Sequence, residues 1–299
     1  EVVLDHVVDV AFSNLVSRHG YPRCADGSAC DTDFAIIGYG KLGGIELGYT
    51  SDLDLVFVHQ ADPQLATDGD KPIDNAVFYT RLGQRIVHIL STQTPSGQLY
   101  EVDMRLRPSG NSGLLVSTLQ AFEKYQQEDA WTWEHQALAR ARGVAGCDDT
   151  LKAFEDIRHQ ILCRQRDKAS LRQEVVDMRE KMRSNLGTPA ARQNDVFHIK
   201  HDNGGIVDVE FMVQYLMLAW CPEHPELTQW SDNIRQLEEL GRAGVLPVDD
   251  TERLREVFIT LRSTIHRRAL QNLNSQVEGG AFTEERDYIQ SMWKKVMVE

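Results

Sequence analysis

The fold is decided by two short stretches near the start of the chain, FAIIGYGKLGG at residues 34–44 and SDLDLVFV at residues 51–58. Each apolar run is short and is bounded by glycine or polar residues, which is typical of a buried strand. Because side chains alternate along a strand, Asp52 and Asp54 lie on one face and the large apolar side chains on the other. The pattern predicts two strands joined through a glycine-rich turn, with two carboxylates on one face of the second strand.

The paired carboxylates allow two interpretations. Carboxylates on one face of an otherwise apolar strand repel each other, and this costs stability unless a cation lies between them. Hard oxygen ligands of this kind suit Mg²⁺, and also Mn²⁺. The alternative is a solvent-facing strand start with no bound ion.

A third strand is predicted at residues 99–107, LYEVDMRLR, and a fourth at residues 113–117. One face of the third strand carries the charged side chains Glu101, Asp103, Arg105 and Arg107. If it lies beside the second strand, Asp103 adds a third carboxylate, and the two arginines can donate to phosphate oxygens. The alternative is an exposed face held together by salt bridges.

The turn after the first strand is rich in glycine, and its candidate phosphate-contacting residues are Gly40, Lys41, Gly43 and Gly44. Backbone N–H groups in such a turn can surround a phosphate. The turn lacks the surrounding features of the dinucleotide-binding and Walker motifs, so a purely turn-forming role is an equal alternative.

Helical periodicity dominates after about residue 118. Helices are predicted at 2–16, 75–92, 119–129, 131–144, 149–163, 170–186, 205–220, 231–241, 250–272 and 283–298, with one short strand at 196–200. The sequence therefore predicts an α+β protein, with a catalytic domain at residues 1–130 and a mostly α-helical bundle domain at residues 131–299.

Composition limits the class of function. The chain of 299 residues has 32 basic and 45 acidic side chains and a net charge of −13, which argues against a protein that reads a nucleic-acid backbone. There is no apolar run long enough for a membrane span and no secretory signal, so a cytoplasmic location is expected. The five cysteines are expected to be reduced thiols, with a bridge between Cys24 and Cys30 as the alternative.

The segment KHDNGGIVDVE at residues 200–210 supplies weaker candidates. Gly205 precedes an apolar helix whose amino-terminal end can bind an anion in principle. Lys200 and Asp208 can pair with each other or can line an active site from the helical domain. A structural role for this segment is an equal alternative.

Longer motifs resemble a known family. The glycine turn followed by a same-face DxD resembles the nucleotidyltransferase superfamily of DNA polymerase β. More closely, five strings resemble the glutamine synthetase adenylyltransferases: GYGKLGGIELGYTSDLDLVF (38–57), YEVDMRLRPSG (100–110), WTWEHQALARAR (131–142), IKHDNGGIVDVEF (199–211) and WSDNIRQLEEL (230–240). Lys41 stands where the superfamily usually has serine. The residues of these motifs resemble the carboxy-terminal, adenylylating unit of a two-unit polypeptide. The absence of a methionine at the start, where Glu1 stands, agrees with such a unit.

The resemblance implies a polymerase-β-like domain with a small mixed sheet and flanking helices. It implies that Asp52, Asp54 and Asp103 hold two Mg²⁺ ions, with Mn²⁺ as an alternative, and that Asp103 accepts the proton of the attacking hydroxyl. ATP would be the substrate. Candidate nucleotide-binding residues are Gly40, Lys41, Gly43, Gly44, Ser51, Arg105 and Arg107, with Glu101, Lys200, Gly205 and Asp208 farther from the reacting atoms.

The function implied is transfer of AMP from ATP to a tyrosine hydroxyl of glutamine synthetase, with release of pyrophosphate and lowered nitrogen assimilation. The first alternative is the reverse activity, phosphorolytic removal of AMP from glutamine synthetase. The second alternative is a regulatory module that binds nucleotide without turnover. The PII signal protein and glutamine are the effectors that the resemblance implies, with no nucleic acid and no membrane among the partners.

Overall fold

The computed structural model describes residues 1–24 and 26–299 of the chain, and these form two compact units. The first unit comprises Glu1–Leu47 and Ser51–Ile161, and the second comprises Gly48–Thr50 and Leu162–Glu299. The packing units therefore divide after residue 161, whereas the boundary predicted from composition lies after residue 130. The division into a catalytic domain at residues 1–130 and a helical domain at residues 131–299 stays a prediction.

A mixed sheet lies at the centre of the first unit. Its strands are β1 (Phe34–Gly38), β2 (Leu53–His59), β3 (Val102–Asp103), β4 (Val116–Thr118) and β5 (Arg142–Gly146). The order is β3-β2-β1-β5, with β4 paired to β2 beyond β3. β1 is antiparallel to both neighbours, and β2 is parallel to β3 and β4. All five β1 residues are buried, as expected for a strand in the middle of a covered sheet.

Helices flank this sheet. They are α1 (Val2–His19), α2 (Gly40–Gly43), α3 (Asn75–Ser91), α4 (Leu119–Glu128), α5 (Thr132–Ala139) and α6 (Asp148–Leu162). The apolar faces of α1 and α3 share one core with β1 and β2, where Phe12, Phe34 and Phe78 are all buried. The expected α+β class, with a small mixed sheet and flanking helices, is confirmed.

Two predictions within this unit are wrong. The predicted strand at 99–107 contains only two strand residues, because the Asp103 carboxylate accepts a hydrogen bond from the Arg105 N–H at 2.8 Å and turns the chain. The predicted helix at 131–144 ends at Ala139, and residues 142–146 form β5 instead. Gly143 and Gly146 disfavour helix, and the free edge of β1 supplies the partner that the sequence does not reveal.

The second unit is mostly helical. Its helices are α7 (Lys168–Leu186), α8 (Ile206–Trp220), α9 (Asn233–Arg242), α10 (Val248–Leu270) and α11 (Thr283–Met297). Side-chain caps begin two of them, since Asp167 accepts from the Ser170 N–H and Asp232 from the Arg235 N–H. The strand predicted at 196–200 is confirmed as β6 (Val196–His198), and it pairs with β7 (Gln276–Glu278), which the sequence did not predict.

The cysteine prediction is wrong for one pair. Cys24 and Cys30 are joined by a disulfide, because the loop folds back through the bridge between Arg23 and Ala29 and leaves their Cα atoms 5.1 Å apart. Cys147, Cys163 and Cys221 form no disulfide within the described part of the chain. Among the described residues, the helices are all too short or too polar to cross a membrane.

Candidate active site

Three carboxylates meet at the start of the β2–β3 ladder. Asp54 lies opposite Asp103 in the parallel register, and the Leu53 N–H donates to the Glu101 carbonyl at 2.9 Å. One carboxylate oxygen from each of Asp52, Asp54 and Asp103 lies within 4.8 Å of the others. The predicted convergence of the third carboxylate on the first two is therefore confirmed as geometry, although β3 is much shorter than expected.

Asp54 carries the electrostatic strain of this cluster. Burial, and after it the negative charges of Asp52 and Asp103, raise its pKa to about 6, against the opposing effect of Lys41 and Arg105. A carboxylate in this position is costly to ionise without an additional positive charge. Three converging oxygen ligands of hard character fit a divalent cation such as Mg²⁺ or Mn²⁺.

Asp103 has a different environment, because Arg105 holds it. The Arg105 Nε lies 3.0 Å from Asp103 Oδ1 and 2.8 Å from Oδ2, and its Nη2 lies 2.5 Å from Oδ2. These charge-assisted hydrogen bonds keep the pKa of Asp103 below its ordinary value. The Arg105 side chain is 74% exposed, so the pair is accessible to solvent and to a ligand.

The glycine turn packs directly against Asp54. Gly40 has a φ of +53°, and a Cβ placed on it would lie 2.5 Å from Asp54 Oδ2. The Tyr39 N–H donates to the Asp54 carbonyl at 2.9 Å, which fixes the turn to β2. These contacts explain why glycine is needed at position 40, so the glycine spacing alone does not require a phosphate. The predicted phosphate contacts stay predictions.

The other glycines and Lys41 belong to the same turn, which forms the four-residue helix α2. A Cβ on Gly43 would lie 2.1 Å from the Arg140 carbonyl, and one on Gly44 would lie 2.6 Å from Arg140 Nη2. Lys41 is exposed, and its charge lowers the pKa of Asp54. Ser51 is half-buried and immediately precedes Asp52.

Arg107 does not share a strand face with Asp103, contrary to the prediction. Its Nη1 donates to the Met104 carbonyl at 2.7 Å, and its other nitrogens contact the carbonyls of Asn111 and Gly113 at longer distances. The guanidinium therefore stabilises the loop that follows β3. Glu101 is exposed, and its backbone carbonyl, not its carboxylate, contacts β2.

A buried ion pair that the sequence did not reveal supports the turn. Arg140, at the carboxy-terminal end of α5, donates from Nη2 to Glu46 Oε2 at 2.7 Å. The two side chains are only 6% and 5% exposed. They are 94 residues apart, so no local pattern could have predicted the contact.

The remaining candidates lie in the second compact unit. Asp208 is buried and accepts from Arg179 Nε at 2.7 Å, from Arg183 Nη2 at 3.2 Å and from the Gly204 N–H at 2.8 Å. Of the alternatives left open for Lys200 and Asp208, a direct pair is not formed, since two arginines of α7 neutralise Asp208. Gly205 is the residue before α8, and a Cβ there would lie 2.7 Å from the Ile199 carbonyl.

Comparisons with known proteins agree with this arrangement. A family model described as "Glutamate-ammonia ligase adenylyltransferase" matches residues 1–157, and one described as "GlnD PII-uridylyltransferase" matches residues 176–279. Three similar curated proteins bear the name "Bifunctional glutamine synthetase adenylyltransferase/adenylyl-removing enzyme". They come from Pseudomonas putida (56% identity over 98% of this chain), Hahella chejuensis (53% over 100%) and Pseudomonas aeruginosa (53% over 99%). The chain spans 31% of the length of each of these relatives.

Proposed function

The chain belongs to the glutamate-ammonia ligase adenylyltransferase family, and from this premise we propose that it transfers AMP from ATP to a tyrosine hydroxyl of glutamine synthetase. Pyrophosphate is the leaving group. The observation that carries the proposal is the convergence of Asp52, Asp54 and Asp103 within 4.8 Å, beside a glycine turn that packs on Asp54. Three hard ligands at one point suit a metal-nucleotide substrate.

The same three aspartates would hold the divalent cations, two Mg²⁺ ions in this proposal. When bound, the cations neutralise developing negative charge on the phosphate oxygens and on the leaving pyrophosphate. Asp54 gains most from this neutralisation, because burial and two neighbouring carboxylates disfavour its ionised form. The protein therefore keeps a destabilised carboxylate in place for a cation to compensate.

Arg105 changes partners in this proposal. In the resting arrangement it neutralises Asp103 through three short nitrogen–oxygen contacts. If Asp103 held a cation, its carboxylate would not need Arg105 as a counter-ion, and the exposed guanidinium could donate to a phosphate oxygen of ATP. The side chain thus acts first as a counter-ion and then as a phosphate contact, which positions the nucleotide by charge.

Proton transfer depends on the same exchange. A tyrosine hydroxyl has an ordinary pKa of about 10 and is a weak nucleophile until it loses its proton. Asp103 is a poor proton acceptor while Arg105 keeps its pKa low. Bound cations would lower the pKa of the acceptor tyrosine, and its proton would pass to a carboxylate oxygen of Asp103 that Arg105 no longer occupies, so deprotonation would follow nucleotide binding.

The direction of the reaction is part of the proposal. The names of the relatives cover both addition and removal of AMP. The carboxylate site suits either reaction because both are displacements at the α-phosphorus: the tyrosine hydroxyl displaces pyrophosphate from ATP in one, and phosphate displaces the tyrosine to give ADP in the other. Addition is favoured because the stretch ELGYTSDLDLVF at residues 46–57 resembles the adenylylating unit. We place the reaction in the cytoplasm, with PII signal protein and glutamine as effectors.

The test mixes the chain with ATP, Mg²⁺ and unmodified glutamine synthetase and follows the intact mass of the synthetase subunit. The expected result is a gain of one AMP per subunit with release of pyrophosphate. The parallel reaction uses adenylylated glutamine synthetase with phosphate, and loss of AMP only in that reaction would reverse the proposed direction.

The matched variants are Asp54→Asn and Asp70→Asn. Asp54→Asn should lower the rate of AMP transfer by at least about a thousandfold, because a carboxylate that serves the reacting phosphate is lost. Asp70 is exposed and lies outside the carboxylate cluster, so its variant should keep the full rate. Near-normal turnover by Asp54→Asn would refute the assignment.

A further inference from the structure

The second compact unit contains a cavity of about 570 Å³ that the carboxylate site does not use. It lies among the carboxy-terminal end of α7, the connection to β6, the turn before α8 and one side chain of α11. Its volume falls within the range of roughly 300–1,000 Å³ that is usual for small-molecule sites. The residues that matter for its chemistry are Glu180, Arg183, Thr188, Gln193, Asp202 and Arg286.

Two arginines of the wall use only part of their hydrogen-bonding capacity. Arg183 donates from Nη2 to Asp208, and Arg286 donates from Nη1 to the Gly279 carbonyl at 2.6 Å. The Arg286 guanidinium also lies 4.1 Å from the centre of the Phe197 ring, which fixes its plane. Within the described chain, Arg183 Nη1 and Arg286 Nη2 make no hydrogen bond, and both side chains are only partly buried, so these two nitrogens are the donors that can face the cavity.

Thr188 has a buried side-chain oxygen that lacks a hydrogen-bond partner among the described residues. Its N–H donates to Asp202 Oδ1 at 2.6 Å and its carbonyl accepts from Gln193 at 3.1 Å, so its backbone is fixed. The side chain is in a residue only 7% exposed, yet its hydroxyl has no partner among the described residues. This hydroxyl is closed off from the cavity, so the two arginine nitrogens are the donors left for a ligand.

The acidic residues of the wall do not supply these partners. Both Asp202 oxygens are already used, by the N–H groups of Thr188 and His198. Glu180 is exposed on α7 and makes no ion pair in the described structure. The unused capacity of the wall is therefore mainly that of donors, from two guanidinium groups. We propose that this cavity binds the oxyanion group of a small organic molecule, a carboxylate or a phosphate, between Arg183 and Arg286.

The wall is already built for such a ligand. Gly204 has a φ of +76°, and a Cβ there would lie 2.7 Å from the Arg286 carbonyl, so α11 packs closely on the turn before α8. A Cβ on Gly187 would lie 2.7 Å from the Arg183 carbonyl and 3.2 Å from Asp202 Oδ1. These contacts hold the arginines in place before binding, which reduces the entropic cost of capturing a ligand.

The experiment titrates the full chain with succinate and, separately, with inorganic phosphate. Calorimetry measures affinity, and the ¹⁵N-labelled arginine Nε–H resonances report which side chains are contacted. We expect saturable binding of one of the two probes, with shifts of the Arg183 and Arg286 resonances that saturate together with it. Binding of succinate would identify the natural ligand group as a carboxylate, and binding of inorganic phosphate would identify it as a phosphate.

Two matched pairs of variants locate the site. Arg286→Gln should weaken binding at least about tenfold, whereas Arg253→Gln should not, although Arg253 also lies over an aromatic ring, that of Tyr288. Ala190→Trp should fill the cavity and abolish binding, whereas Ala191→Trp, on the next residue of the same short helix, should not. The tryptophan pair removes no existing hydrogen bond, so it stays informative if Arg286→Gln does not fold.

Three results would overturn the proposal. One is no saturable binding of either probe below about 10 mM. Another is binding that Ala190→Trp and Ala191→Trp affect equally. The third is saturable binding that leaves the resonances of Arg183 and Arg286 unshifted. Because the readout is binding and not AMP transfer, failure here leaves the proposed enzymatic function intact.

Discussion

The two groups of buried aspartates in this chain are compensated in opposite ways. In the second compact unit, Asp208 is only 2% exposed and accepts from two arginines and a backbone N–H. In the first, Asp54 is half-buried beside two other carboxylates, and its pKa is raised to about 6. One carboxylate has its charge balanced by the protein, and the other does not.

This difference separates a structural carboxylate from a functional one. A buried charge that the protein itself neutralises joins elements of the fold, as Asp208 joins α7 to the start of α8. A buried charge that lies among like charges lowers stability unless something from outside compensates it. The pattern at β2 is therefore the one expected for the proposed binding site, and the pattern at α8 is that of a structural support.

Removal of the compensation at Asp208 should give the largest change in stability. Arg179→Met leaves the buried carboxylate with Arg183 alone and should lower the free energy of unfolding by about 3–5 kcal/mol. The measurement is urea denaturation at pH 7.5. The matched control is Arg253→Met, which breaks a pair 44% and 62% exposed and should cost below about 1 kcal/mol. Equal losses in the two variants would show that Asp208 is not a structural support.

Neutralisation of Asp54 should have the opposite effect on stability and raise the free energy of unfolding. Asp54→Asn removes an ionised carboxylate that two others repel, so the metal-free protein should gain about 2–3 kcal/mol at pH 8. The measurement is the free energy of unfolding by urea, in the presence of a chelator. Asp52→Asn is the control, because Asp52 is exposed and its variant should change stability less.

The pH dependence of this gain in stability tests whether the gain comes from the charge of Asp54. Asp54 has a raised pKa, from the usual 3.8 to about 6, so the folded state holds its proton more tightly than the unfolded state does. The stabilising effect of the protonated form is present below about pH 3.8 and is lost as the pH rises through 6. The advantage of Asp54→Asn should therefore grow between pH 4 and pH 6 and stay constant above. A constant advantage at all pH values would point to packing instead of charge.

The features that the sequence predicted correctly are those set by local patterns. Two same-face aspartates follow from the alternation of Leu53 to Phe57, and the apolar runs at α1 and α3 follow from helical periodicity. The third carboxylate was also found, because Val102 and Asp103 do pair with β2. In each case a few neighbouring residues carry the information.

The features that the sequence missed depend on distant partners. β5 forms only because the edge of β1 accepts it, and the Arg179–Asp208 pair joins residues 29 apart. The alternation at residues 99–107 was misleading because Asp103 bonds to the Arg105 N–H and ends the strand. That hydrogen bond competes locally with the β-ladder, as aspartate side chains often do.

The smallest expected effect concerns Arg105. Its pair with Asp103 is intermediate between the compensated charge of Asp208 and the uncompensated charge of Asp54. Its pair with Asp103 is internal, as at Asp208, but it is largely exposed and therefore weak. Arg105→Ala should raise the affinity of the nucleotide-free protein for Mn²⁺ by roughly two- to fivefold, since Asp103 loses a competing cation. The same variant should raise the KM for ATP more than the KM for glutamine synthetase, because a phosphate donor is lost. Titration calorimetry and steady-state kinetics measure the two effects, and Arg81→Ala on α3 serves as the control. Unchanged Mn²⁺ affinity, or equal increases in both KM values, would show that Arg105 neither competes with the cation nor contacts the nucleotide.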